Sequence, residues 1–135
     1  MRPICVPCAG GIVLNEAGEL LLIRRARPPS AGLWSVPGGR CLDGEASADA
    51  CVREVAEETG LHVRVLRHAG RVERPGLHGA TYQIDDYVCS VTGGQLRVGD
   101  DAADARWVAM TDLGRLELVP GLLESLAEWG IVARG

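Results

Sequence analysis

Apolar residues fall in short runs along the first third of the chain. AGGIVL (residues 9–14) and ELLLIRR (residues 19–25) are rich in strand formers, and the NEAG between them offers Asn15 and Gly18 for a turn, so the pattern predicts a hairpin. The prolines and glycine of ARPPSAG predict a loop, and LWSVPGG predicts a short strand stopped by Pro37, Gly38 and Gly39. From Ser47 to Thr59 the pattern becomes helical: Ser47 is placed to cap, Asp49 suits the positive end, and Gly60 can stop the helix. LHVRVLRHAGRVER, then ATYQIDDYVCSVT, a GG turn and QLRV carry β-branched residues with partial alternation, which predicts a long antiparallel region. RWVAM predicts one more strand. Thr111 or Asp112 can cap a short turn, and Leu122, Leu123, Leu126 and Trp129 follow a helical period after Pro120.

No internal repeat, low-complexity tail or long linker interrupts this order, so the expectation is an α+β sandwich of sheet and helices forming one domain over residues 1–135. Strand order is not legible from the pattern. A chain of this length can bury an ordinary core without disulfide or metal staples. Its 47% apolar and 24% charged residues are those of a globular protein, and a net charge of −4 offers no basic surface to duplex nucleic acid.

The five cysteines are odd in number, and only Cys5 and Cys8 stand in CxxC spacing, where a zinc ribbon needs a second pair. Reduced thiols in a cytoplasmic protein are the expectation. Near the start, Arg2 precedes apolar residues as in a signal peptide, but Pro3, Pro7, Gly10 and Gly11 interrupt the run and favour a first strand. No apolar run approaches the roughly 20 residues that span a bilayer, so no membrane partner is expected.

The predicted helix poses a physical problem. Winding residues 48–59 at about 100° per residue puts Glu54, Glu57 and Glu58 within an arc of about 100°, opposite Ala48, Cys51, Val52, Val55 and Ala56. Carboxylates about 6 Å apart repel by roughly 0.7 kcal/mol per pair in water and by several times more at an effective dielectric near 20. Three glutamates alone are compatible with a solvated face of good helix formers. Their context is more specific.

Gly39 lies six residues before Glu45, and Glu45 eight before Arg53, in GRCLDGEASADACVREVAEETGL. The stretch fits G-x5-E-x7-R-E-U-x-E-E-x-G-U at every specified position, with Val55 and Leu61 as the bulky aliphatic residues U. Fixed or restricted positions at this density make a chance match far less likely than a lone short motif would be. The chain thus resembles the Nudix (MutT-like) hydrolase family, and LLLIRRARPPSAGLWSVPGG upstream looks like that family's strand, loop and substrate-facing approach.

The resemblance implies a Nudix-type α/β/α sandwich with a mixed β-sheet and a catalytic loop-helix-loop. It implies Mg²⁺ or Mn²⁺ as cofactor, held by Glu57, Glu58 and Glu54 with the backbone carbonyl of Gly38, and leaves Glu54 open as ligand or general base. Hard oxygen donors suit these ions. Arg53 would orient a glutamate, with Glu45 bracing the loop and Gly39 beside it. Asp100 and Asp101 are candidates for a further acidic group, Asp101 being preferred as base or ligand. Arg24 and Arg25 are candidate phosphate contacts, since an arginine fork matches phosphate oxygens. Trp34 is either a stacking platform for base or ribose, or packed core beside Leu33 and Val36. His62, His68 and His78 show no ligand spacing.

The implied reaction is hydrolysis of a pyrophosphate bond in a nucleotide-type small molecule, and Pro75 in RVERPG points to ADP-ribose-type substrates. Hydrolysis of modified nucleoside triphosphates such as oxidised dGTP is the nearest alternative. A non-catalytic nucleotide-sensing module is the alternative of another class, disfavoured because Glu54, Glu57 and Glu58 are all intact. A homodimer is open by analogy with the family.

Overall fold

The computed structural model describes residues 4–99 and 101–133. Arg2, Pro3 and Asp100, named above, lie outside these. Four strands precede the first helix: β1 (Cys5–Leu14), β2 (Leu20–Arg25), β3 (Trp34–Ser35) and β4 (Gly38–Arg40). Helix α1 (Ser47–Thr59) leads into β5 (Leu61–Pro75), β6 (Thr81–Gly94) and β7 (Ala102–Val108), and α2 (Leu122–Glu128) follows. Short 3₁₀ turns at Leu77–Gly79 and Met110–Arg115 join these elements.

Among the described residues the seven strands form one sheet. Its main path runs β3-β2-β1-β6-β5, with β4 paired to β1 and β7 to β2. The central β1–β6 pair is parallel, from Cys5 opposite Thr81 to Leu14 opposite Ser90, while the other pairs are antiparallel. The sheet is therefore mixed, and helices cover both faces, as an α/β/α sandwich requires.

Strand periodicity sorts the core onto those faces. Ala9, Val13, Leu21 and Cys89 pack with Ala50, Cys51 and Val55 of α1, whereas Ile12, Leu20, Leu22 and Val88 pack with Leu122 and Leu126 of α2. Leu20, Leu21 and Leu22 are all fully buried, which explains the unbroken apolar run: a strand covered on both faces has no polar side. Truncating such a residue to alanine typically costs about 2–5 kcal/mol. The same alternation splits the CxxC pair, leaving Cys5 exposed and Cys8 buried.

Helix α1 has the predicted bounds, but its start differs. Ala46 occupies the cap position without a side-chain bond, and the Ser47 hydroxyl instead meets the Tyr87 hydroxyl on β6. Tertiary contact with the sheet has displaced the cap. Gly60 stops the helix in the left-handed conformation at φ 75°, its N–H donating to the Ala56 carbonyl. Likewise, Ala109 rather than Thr111 or Asp112 precedes the second 3₁₀ turn, and Leu123 on α2 is exposed.

Two strand expectations fail for identifiable reasons. GGR, read as a strand stop, is itself β4, because Gly38 and Gly39 lie opposite Gly10 and Ala9 of β1. QLRV is not a strand. Its backbone serves the end of α1 instead, Arg97 N–H donating to Thr59 O at 2.9 Å and Gly99 N–H to Glu58 O at 2.8 Å. The last carbonyls of a helix need such partners. No helix of the described residues is long and apolar enough to cross a membrane.

Candidate active site

Arg53, near the middle of α1, reaches both its own helix and the loop before it. Its Nε and Nη2 donate to the two Glu45 oxygens at 2.9 and 2.8 Å, and Nη2 also reaches the Arg40 carbonyl at 3.0 Å. Nη1 meets Glu54 Oε1 at 2.8 Å and, less closely, Glu57 at 3.3 Å. One planar guanidinium thus fixes three carboxylates and a backbone carbonyl, a geometry that a lysine ammonium cannot reproduce. Glu45 also accepts the Leu42 N–H at 3.0 Å, tying the loop on itself. Arg53 and this N–H together pull the Glu45 pKa down to about 2.

The acidic face is graded in burial. Glu57 is exposed, Glu54 is half-buried, and Glu58 is only 8% exposed, on the side that the helical wheel leaves to solvent. Strand β4 covers Glu58, whose Oε1 accepts the Gly38 N–H at 2.9 Å. Desolvation lifts the Glu58 pKa to about 7 against that hydrogen bond, with Glu54 and Asp101 adding to the rise. Burial likewise raises Glu54, against the pull of Arg53.

Gly38 and Gly39 are placed by close approach. A Cβ on Gly39 would stand 2.6 Å from the Glu54 carboxyl carbon, and one on Gly38 would stand 2.4 Å from the Ala9 carbonyl oxygen. Gly38 faces Gly10 across the β1–β4 pair, and the adjoining bond is made by the Gly11 N–H donating to the Pro37 carbonyl at 2.9 Å. Since N–H and C=O of one residue point to the same side of an antiparallel strand, the Gly38 carbonyl, like its N–H, faces away from β1.

Asp101 is exposed and paired with Arg27 at 3.1 Å, yet its charge reaches Glu54 and Glu58. Arg24 and Arg25 end β2 on opposite faces. Arg24 is exposed and bonds Gly32 O at 3.2 Å, whereas the charge of Arg25, held by Pro29 O at 2.7 Å, reaches Glu58. Trp34 is 7% exposed in the α2-side core with Arg106 stacked on its ring at 5.1 Å, so of its two readings the structure favours packing over an open platform. Pro75 is exposed at the end of β5.

No three His, Cys, Asp or Glu side chains among the described residues converge closely enough to hold an ion between them. The fit of the donor set is one of chemistry: two carboxylates with raised pKa values, a third beside them and a free-facing carbonyl are hard oxygen donors in excess of the cations present. The sequence signal missed Asp86, a buried aspartate on β6, because an Asp-Asp pair in an alternating strand reads as polar decoration.

A family model described as NUDIX domain matches residues 6–129. The chain therefore belongs to the Nudix family. It is 38% identical over 108 residues to the Bacillus subtilis protein named "Putative 8-oxo-dGTP diphosphatase", covering 79% of this chain and 66% of that one. With the ADP-ribose pyrophosphatase of Methanocaldococcus jannaschii it shares 33% over 105 residues, 77% of this chain. The chain spans just under two thirds of the length of these two relatives, 66% and 62%. Among solved structures, a MutT protein from Methanosarcina mazei has a TM-score of 0.83 at 23% identity, covering 96% of each chain.

Proposed function

We propose that this protein is a Mg²⁺- or Mn²⁺-dependent hydrolase of nucleotide pyrophosphate bonds. The observation that carries the reading is the Arg53 cluster: one arginine holds Glu45, Glu54 and Glu57 on the helix whose Glu58 is bound to the β4 backbone. Glu57, Glu58, Glu54 and the Gly38 carbonyl would hold the ion. When bound, it would supply a water of lowered pKa and neutralise charge on the phosphoryl oxygens.

The chain's own residues divide the remaining work. Arg53 keeps Glu54 and Glu57 in place, and Glu45 keeps Arg53 in place. Glu54 is our choice of general base, since partial burial makes its carboxylate more basic than an exposed one. Asp101 is exposed and ion-paired, which suits it to adding negative charge near the ion. Arg25, on the carboxylates' side of β2, is the phosphate contact and Arg24 faces solvent.

Both substrate branches remain in the reading: a nucleoside diphosphate linked to another group, as the name of the Methanocaldococcus relative suggests, and a nucleoside triphosphate, as that of the Bacillus relative does. Each leaves a nucleoside monophosphate. The five free thiols support a reducing, cytoplasmic setting. The test is a nucleotide panel including ADP-ribose and oxidised dGTP, with each ion and with EDTA, products being identified. Metal-dependent release of a monophosphate is expected; turnover undiminished by EDTA would overturn the mechanism.

A further inference from the structure

Two adjacent aspartates on β6 have opposite fates. Asp85 is satisfied by His68 at 2.9 Å and by two Arg71 donors at 3.0 and 3.2 Å. Asp86 is 5% exposed, and its Oδ1 is the single buried side-chain oxygen or nitrogen among the described residues without a hydrogen-bond partner. A buried acceptor left unpaired costs stability, so its retention calls for an explanation. A cation is near: Arg74 is the strongest charge acting on Asp86. Yet its guanidinium hydrogen-bonds the Ser125 hydroxyl and the Glu73 carbonyl instead.

The strand neighbours of Asp86 are glycines, with Val36 and the Trp129 indole lying over them. Register places Gly10 of β1 on one side of it and Gly70 of β5 on the other. A Cβ on Gly10 would stand 2.3 Å from Asp86 Oδ1, and one on Gly70 would collide with the Trp129 indole at 2.2 Å. Gly10 also faces Gly38 of β4, whose N–H bonds Glu58. Two strand spacings, about 10 Å, therefore separate the β4 backbone beside the carboxylate cluster from Asp86. Tyr87 and Cys89 pack toward α1 and Val88 toward α2, so Asp86 lies on the α2 face. Strand β4 pairs only with β1, and its other edge, where the Gly38 N–H meets Glu58, carries no further strand.

We propose that Asp86 is a specificity residue that reads the nucleobase of the substrate, accepting hydrogen bonds from ring and exocyclic N–H groups. The inference rests on the proposed nucleotide hydrolysis. A nucleotide with its pyrophosphate at the α1 carboxylates extends its ribose and base round the β4 edge toward Asp86. Above neutral pH, where the buried Asp86 is ionised, its carboxylate accepts only. The guanine edge, with an N–H and an NH₂ side by side, complements it. Adenine and cytosine place a ring acceptor beside their amine, and uracil and thymine flank one N–H with two carbonyls; each would set lone pairs against the carboxylate. A site built around such an acceptor rejects ligands that leave it unpaired.

Binding of monophosphates to the metal-free, EDTA-treated protein tests this apart from catalysis. GMP should bind at least tenfold more tightly than AMP, and IMP, which lacks the exocyclic amine, should lose most of that advantage. In Asp86→Asn, which keeps shape and supplies a donor, GMP should weaken at least tenfold and the gap to AMP should close. In Asp86→Ala the GMP and IMP affinities should converge, a coupling between ligand amine and side chain that a structural role would not give. Unchanged GMP/AMP and GMP/IMP ratios in folded variants, preference for AMP in the wild type, or no GMP binding would each overturn the inference. Failure of the nucleotide panel would instead remove the proposed activity.

Discussion

Arg53 grips Glu45 with a two-pronged hydrogen bond, Nε to Oε2 at 2.9 Å and Nη2 to Oε1 at 2.8 Å, across the loop that precedes α1. The pair leaves Nη1 free to hold Glu54 and Glu57 on the helix. Arg53→Lys keeps the charge but loses the fork. It should lower kcat/KM by about tenfold to a hundredfold, a loss of roughly 1.4–2.8 kcal/mol of transition-state stabilisation. Steady-state kinetics with the best substrate of the panel checks this, and wild-type activity would deny Arg53 its positioning role.

The two candidate bases should separate by mutation. Glu54→Gln is expected to cost a hundredfold or more in kcat, because it removes a half-buried carboxylate held by Arg53, whereas Asp101→Ala should cost less than tenfold. Circular dichroism would verify that both variants fold. The reverse order of effects would transfer the base to Asp101.

Glu57→Gln should also lower the rate by a hundredfold or more while leaving the fold intact, since its exposed side chain supports no packing. The Mg²⁺ concentration for half-maximal activity should rise with it. A folded variant with normal turnover and normal metal response would remove Glu57 from the ligand set.

Gly39→Ala isolates geometry from charge. The added methyl would meet the Glu54 carboxyl group at 2.6–2.7 Å, and as the far end of a side chain that group should yield before backbone does, giving up its Arg53 bond. Thermal stability should change little while kcat falls at least tenfold. A large drop in Tm with normal kcat would mean that the β4 backbone, and not Glu54, yields.

The metal-free protein should lose stability as pH rises from about 5 to 8. Glu58 has its folded pKa raised from 4.5 to about 7, so the folded state binds the extra proton and its contribution is present below pH 4.5 and lost on passing 7. The shift corresponds to about 3 kcal/mol. Glu58→Gln should flatten this part of the profile, as measured by chemical denaturation in EDTA, although Asp86, also raised to about 7, keeps a residual slope. Glu45 acts oppositely, adding stability above pH 4.5 that disappears toward pH 2. A wild-type profile flat between pH 5 and 8 would contradict the burial of Glu58.

Parts of this architecture were legible because local and tertiary preferences agree. The bounds of α1 follow from its period and from Gly60, and the unbroken Leu20–Leu22 run is explained by helices on both faces. Legibility fails where a distant segment takes over a local signal. Tyr87 draws the Ser47 hydroxyl from the cap, and the carbonyls ending α1 draw the backbone of Arg97 and Gly99 out of the strand that their side chains suggest. Glu58 appears solvent-facing on a helical wheel because β4, which buries it, is written as glycines, and glycines look like a stop. The solitude of Asp86 has no sequence signature, since it depends on what Gly10, Gly70 and Arg74 fail to supply.

The parallel pairing of β1 with β6 sets the order in which this chain can become a protein. Residues 5–14 find their central neighbours only at residues 81–90, so the heart of the sheet, like the β2–β7 pair beside it, closes over most of the intervening chain. The β5–β6 ribbon, by contrast, joins strands adjacent in sequence and can form early. On a ribosome the first strand must wait, unpaired on that edge, until the ribbon emerges, and refolding from denaturant should be limited by this late docking.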